Sequence, residues 1–303
     1  MNSNFRKQVL RLFIALLLPF STFAQMPHDA IYMPKKTLCT AFMYGKSDFK
    51  EYWEGSLLRN NLNIGTNTTQ SFSIMPAYGL TDRLNIIAML PYITTKNSAG
   101  NLLGQRGLQD ISVWLKYKLI SKGGFSLGTV LGASTPVTNY LPDFLPMSIG
   151  LQSRSVSGKI VANYTHKSGI YATAHGTYML RSNIKIDRDA YQAFDKIIYS
   201  NQVNVPHAAD AAARLGYTNS GFQAEIFANY FTCISGDNIR RNDMPFPTNK
   251  MQMTSVGIYA KYQYKNIGLN AQVSQVLLGL NMGKSLSFST GILWQIDFNK
   301  KAI

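Results

Sequence analysis

The chain has 303 residues, and its 30 Lys and Arg outnumber 15 Asp and Glu, giving a formal charge of +15. A basic balance suits anionic surfaces or solutes, and with no nucleic-acid motif beside it and a signal for export, nucleic acid is set aside as a partner. Although 46% of the residues are apolar, no run approaches the roughly 20 that a transmembrane helix requires.

Residues 1–24 read as a signal peptide. Arg6, Lys7 and Arg11 form its positive region, residues 12–20 its apolar stretch, and Thr22 and Ala24 the small positions that place cleavage before Gln25. Removing it leaves 27 basic residues against 15 acidic ones, a balance of +12. Residues 25–36 are expected to form a periplasmic N-terminal segment, residues 37–298 an outer-membrane barrel and residues 299–303 a short tail. Cys39 and Cys233 fall near opposite ends of different strands, so no bond between them is expected, and Cys39 lies too far from the apolar stretch to be a lipoprotein cysteine.

From residue 37 onward the apolar pattern has period two, the mark of strands with two chemically different faces. In the last strand Leu286, Phe288, Ile292, Trp294, Ile296 and Phe298 share one face. Ser287, Ser289, Gly291, Gln295 and Asp297 share the other, with Leu293 the exception. The pattern predicts strands near 37–45, 70–80, 84–93, 108–120, 124–134 and 151–164, then 169–182, 208–219, 221–231, 251–264, 266–275 and 285–298. Of these, 208–219 is alanine-rich and would also suit a short helix. Tight turns at Thr81-Asp82-Arg83, Ser121-Lys122-Gly123, 165–168, Asn219-Ser220 and Lys265 alternate with long links near 46–69, 94–107, 135–150, 183–207, 232–250 and 276–284. Short periplasmic turns and long extracellular loops alternate in this way in an even-stranded barrel.

The expected fold class is therefore all-β: a transmembrane antiparallel up-and-down β-barrel of about twelve strands in the bacterial outer membrane. A soluble sandwich would also alternate. Its strands would be shorter, and it would not gather aromatics at the turn ends as Tyr78, Tyr92, Tyr117, Phe125, Tyr164, Tyr171, Tyr217, Phe222, Tyr262 and Tyr264 are gathered here, in the manner of a headgroup girdle. Phe298 supplies an aromatic close to the last strand, with residues 299–303 following it.

Two stretches carry a family likeness. Tyr78-Gly79-Leu80-Thr81-Asp82-Arg83-Leu84-Asn85-Ile86 with Leu90-Pro91-Tyr92 is one, and Gly107-Leu108-Gln109-Asp110 with Lys116-Tyr117-Lys118-Leu119 is the other. Together they resemble the outer-membrane channel family named after the meta-cleavage pathway of phenol degradation. The resemblance centres on residues 70–135 and implies uptake of small organic compounds, aromatic ones among them.

Candidate chemistry is sparse. His166 and Ser168 stand two apart, as a base and nucleophile of a barrel phospholipase could, but on a periplasmic turn and without the Asn that follows Ser in those enzymes. His28, His166, His175 and His207 are scattered without ligand spacing, so neither metal nor cofactor is expected. What remains is the polar face of the strands, where Asp110, Trp114, Lys116, Lys118, Lys159, His175, Asp210, Arg214, Glu225, Lys261 and Asp297 are expected to line the lumen. Four Lys and one Arg against four acids favour anions by a single charge. The expected role is a passive channel for a small-molecule solute. The alternative is a filled barrel whose loops bind a partner or envelope polymer, and a lipid hydrolase ranks third. Expected contacts are outer-membrane lipid, lipopolysaccharide and, during biogenesis, the barrel-insertion machinery.

Overall fold

The computed structural model describes residues 26–241 and 243–299; the expected signal peptide and the tail beyond Asn299 lie outside them. Twelve long strands form the wall. They are β1 (Thr37–Phe49), β2 (Asn67–Gly79), β3 (Leu84–Asn97), β4 (Asp110–Lys122), β5 (Phe125–Pro136) and β6 (Ser155–Thr165), followed by β7 (Ile170–Arg181), β8 (Ala208–Asn219), β9 (Phe222–Cys233), β10 (Gln252–Tyr264), β11 (Ile267–Leu280) and β12 (Leu286–Asp297). Each pairs antiparallel with its neighbours in sequence, and β1 pairs with β12 from Thr37↔Asp297 to Asp48↔Leu286. The sheet has no open edge, as lipid requires, because hydrocarbon offers a free backbone N–H or C=O no partner. The sandwich is thereby excluded.

Strand length and facing follow from the same setting. Each strand has 11 to 14 residues, enough for the nine to eleven or so of a tilted membrane crossing plus a projection beyond it. On β10 the outward Ile258 is 59% exposed while the inward Lys261 is 4% exposed. An apolar outer face and a polar inner one is the arrangement of a membrane barrel, inverted from a soluble protein.

Several strands outrun the apolar pattern at their outer ends. β1 continues through Lys46, Ser47 and Asp48 to Phe49, and β3 through Thr94 to Asn97. There the wall leaves the lipid, so the alternation fades while the ladder continues. The long links also carry short hairpins, Glu51–Glu54 with Leu57–Asn60 and Tyr191–Ala193 with Lys196–Ile198. The alanine-rich β8 is a strand, paired without a break to β7 and β9. Alanine's helix propensity, less than about 1 kcal/mol per residue, yields to two full ladders that a closed sheet cannot give up.

One girdle assignment is corrected. Tyr92, Tyr117, Tyr164, Tyr217, Tyr262 and Tyr264 are outward and exposed, but Tyr171 is buried inside the barrel, where its hydroxyl donates to Glu225 at 2.6 Å. Cys39 and Cys233 are both free and buried.

Because Ile258 sits mid-strand against lipid, Ile258→Arg is expected to lower stability by about 2–4 kcal/mol. Urea unfolding in bilayers measures this, and a loss below about 1 kcal/mol, as near an interface, would contradict the placement.

Candidate functional site

The interior is organised around one lysine. Lys116 projects inward from β4 and has no exposed surface. An ammonium has three donors and no acceptor, and Lys116 uses all three on the segment that precedes β1. It donates to the Met26 carbonyl at 2.9 Å, the Asp29 carboxylate at 2.7 Å and the Ile31 carbonyl at 2.9 Å. Asp29 also accepts from the Met26 and Ile31 amides, at 2.7 and 2.9 Å, so it folds the segment into a tight turn around the ammonium. Residues 26–33, expected in the periplasm, therefore lie inside the barrel. An unpaired lysine in that interior would be costly, and the segment supplies its counter-charge.

The wall is shaped to receive this plug. The Asn85 amide donates to the Met33 carbonyl at 2.9 Å, and the Asp82 carboxylate accepts from the Lys35 amide at 2.9 Å. A Cβ on Gly79 would run into the Met33 and Pro34 carbonyls, and one on Gly128 into the Tyr32 hydroxyl. The Lys116 and Lys118 ammoniums lie 4.8 and 4.5 Å from the centre of the Tyr32 ring, in cation–π range. Met33 is fully buried among Cys39, Ala41, Met75, Ala77, Ile87 and Leu293, with Met26, Ile31 and Trp114 packed alongside. Leu293, the inward exception in the last strand, belongs to this patch.

A second group lies on neighbouring strands. His175 on β7 meets Asp210 on β8 at 3.1 Å, and the Thr177 hydroxyl donates to the same carboxylate at 3.0 Å. Arg214 on β8 pairs with Glu225 on β9, both almost fully buried. Glu225 also accepts from Tyr171, whose hydroxyl accepts from Gln223 at 2.8 Å. The His28 ring of the plug stands 6.1 Å from that of His175. Lys159 on β6 and Lys261 on β10 have no hydrogen-bond or ion-pair partner among the described residues, although Lys261 is 4% exposed. Lys116 with Asp29 and Arg214 with Glu225 thus neutralise each other, His175 with Asp210 does so only when the ring is protonated, and the ammoniums of Lys118, Lys159 and Lys261 form no ion pair among the described residues.

The remaining expected residues lie elsewhere. Asp110 stands at the outer end of β4, where Tyr140 of the loop after β5 donates to it at 2.6 Å. Burial and that carboxylate push the Tyr140 phenol well above its usual range, which keeps it a donor. Asp297 is at the periplasmic rim and accepts from the Asn299 amide at 2.9 Å. His166 and Ser168 do meet, at 2.9 Å, but on the exposed turn between β6 and β7, which their bond closes. No sequence motif marks Asp29, Tyr32 or Met33, and His28 is visible only as one of four scattered histidines.

A family described as "Putative MetA-pathway of phenol degradation" matches residues 55–277. Among solved structures, an outer-membrane channel from Pseudomonas putida F1 superposes with a TM-score of 0.73 at 15% identity, covering 90% of this chain and 100% of that one. That likeness shows a shared fold. The KdgM porin in complex with disordered oligogalacturonate gives 0.48 at 6% identity, covering 84% of this chain and 98% of its own. The NanC porin gives 0.48 at 7%, covering 84% and 100%. No curated protein matches by sequence.

Lys116→Met should leave Asp29 without its cation and loosen the plug, at a loss of at most about 3–5 kcal/mol. Amide exchange of residues 27–33 should accelerate while that of the wall strands does not. Unchanged exchange in that stretch would show that Lys116 does not hold it.

Proposed function

This chain belongs to the MetA-pathway phenol-degradation family, and from that premise we propose that it is an outer-membrane channel for small solutes, closed at rest by its own N-terminal segment. The observation that carries the reading is how the plug is held. Side-chain hydrogen bonds, one ion pair and an apolar contact retain it, whereas the wall is held by continuous ladders. The plug is thus the part of the interior that can move without opening the barrel. The Pseudomonas neighbour is itself named an outer-membrane channel, which supports the reading. Export by a signal peptide cleaved before Gln25 belongs to the same proposal.

The path runs past Lys116, Lys118, Lys159, His175, Asp210, Arg214, Glu225 and Lys261, with Trp114 on its wall. Lys159 and Lys261, unmatched by carboxylates, give it a preference for small organic anions over cations, because fixed charge in a narrow low-dielectric lumen sets which ions enter. The alternative, a filled structural barrel, is favoured by one observation, the complete burial of Lys116 beneath the plug and of Met33 between plug and wall.

Planar-bilayer recording separates the two readings. Wild-type protein should conduct rarely. Protein lacking residues 26–34 should conduct steadily with an anion-selective reversal potential, and Lys159→Glu with Lys261→Glu should turn that selectivity towards cations. Silence from the shortened protein, with the barrel shown to be folded, would leave the filled barrel standing.

A further inference from the structure

A separate site lies above the barrel, outside the lumen. Five of the six extracellular links converge there around a cavity of about 260 Å³. Phe49 closes it from the end of β1, Tyr52 and Ile64 from the link after β1, and Leu145, Ile239 and Met282 from the links after β5, β9 and β11. None of the charged lumen residues contributes to it. We propose that this cavity is a preformed binding site for a small, uncharged, apolar molecule of one or two rings.

Three features of the lining carry the proposal. The first is polarity. Asn281 lies in the wall and is fully buried, but its amide is already used. Its Oδ1 accepts from the Gly55 amide at 2.9 Å and the Ile239 amide at 3.1 Å, and its Nδ2 donates to Asn238 at 2.9 Å and to the Lys250 carbonyl at 2.7 Å. With its hydrogen bonds spent on the loops, it offers a ligand little; Tyr52, Asn61 and Asn63 are the other uncharged polar side chains in a lining that is mostly apolar, so apolar contact supplies most of the binding. The second is charge. Among the described residues no Lys or Arg lines the cavity, and its one acid, Asp243, is exposed, so an anion finds no partner in that lining.

The third is size and rigidity. A cavity of roughly 150 Å³ lined by aliphatic and aromatic side chains accepts benzene, so 260 Å³ accommodates a second ring. The loops are fixed before any ligand arrives. Asn281 ties three of them, the Trp53 amide donates to the Met282 carbonyl at 2.8 Å, and the Thr95 hydroxyl holds the Met147 carbonyl beside Leu145 at 2.6 Å. Preformed walls spare a ligand the entropy of ordering them. Beside the cavity, Leu62 and Leu103 are 84% and 83% exposed on water-facing links, apolar groups that an arriving apolar molecule meets first.

The inference stands apart from the channel reading, because binding can be measured on protein that never conducts. Met244, Met251 and Met282 line the cavity, so the test is methyl NMR of ¹³C-methionine protein in lipid nanodiscs, titrated with naphthalene. Saturable ring-current shifts are expected on those three methyls, with those of Met33 and Met75 unmoved. Leu145→Trp and Ile239→Trp, which fill the cavity from opposite links, should each abolish the shifts, and Leu145→Ala should keep them. Naphthalene-2-carboxylate should bind at least tenfold more weakly. Shifts that rise linearly with probe in the lipid, spread to all methionines or survive both filled variants would overturn the site, and equal binding of the carboxylate would overturn the ligand class. A conductance failure would leave this result untouched.

Discussion

A backbone that crosses hydrocarbon has to satisfy every N–H and C=O within itself, and a sheet can do so only by closing. Here closure is the pairing of β1 with β12 over twelve residue pairs, and the rest of the architecture is subordinate to it. It fixes which face meets lipid and turns the polar face inward. It also confines that face to a narrow interior, where charges cannot stay unpaired cheaply. Three contacts, the ion pairs of Lys116 with Asp29 and of Arg214 with Glu225 and the hydrogen bond of His175 with Asp210, answer that second demand. Two of them link adjacent strands of the wall, and the third reaches outside the wall to the segment that precedes it.

The third pair explains an otherwise contradictory set of residues. Ala41, Met75, Ala77, Ile87 and Leu293 are apolar yet face inward, where a water-filled lumen would want polar groups. They make sense as the floor on which Met33 packs. The stretches that carry the family likeness take on a meaning beyond a tight hairpin. Gly79 makes room for the Met33 and Pro34 carbonyls, Asp82 receives the Lys35 amide, Asn85 binds the Met33 carbonyl and Lys116 gathers the turn at Asp29. These residues build the seat of the plug as well as the wall.

The wall was readable from sequence because its physics is local and periodic: each strand meets lipid on alternate residues, so the period of two is written into every strand. The same logic failed wherever that alternation was not driven by lipid. β1 and β3 run on beyond the membrane, whereas Tyr171 keeps the alternation, in phase with Thr173 on the inner face, and only its aromatic type pointed to a girdle. The plug left no periodic trace at all. Its contacts join residues 26–33 to positions such as Asn85, Lys116 and Gly128, tens of residues away, and nothing in its own composition announces them. The one faint sign was on the receiving side, where Leu293 breaks the polar face of the last strand. Of the inward residues foreseen, the charged ones on β4 and on β6 to β10 do come together, whereas Asp110 and Asp297 were placed with them by alternation alone and lie at the two rims.

The choice of an ion pair as the anchor matters for movement. A plug held by apolar contact alone loses the same area of contact however it leaves, and leaving exposes that surface to water. A buried ion pair behaves asymmetrically. Removing one partner by mutation strands the other in a dry interior, at a loss of about 3–5 kcal/mol. Withdrawing the whole segment lets water reach both Lys116 and Asp29, which returns the desolvation that burial imposed and nearly cancels the lost attraction. Such a pair specifies the seated position sharply while adding little to the barrier against leaving it. The apolar patch around Met33 then sets how firmly the plug rests, and the pair sets where. With the segment gone, Lys116 would join Lys118, Lys159 and Lys261 as an ammonium without an ion-pair partner.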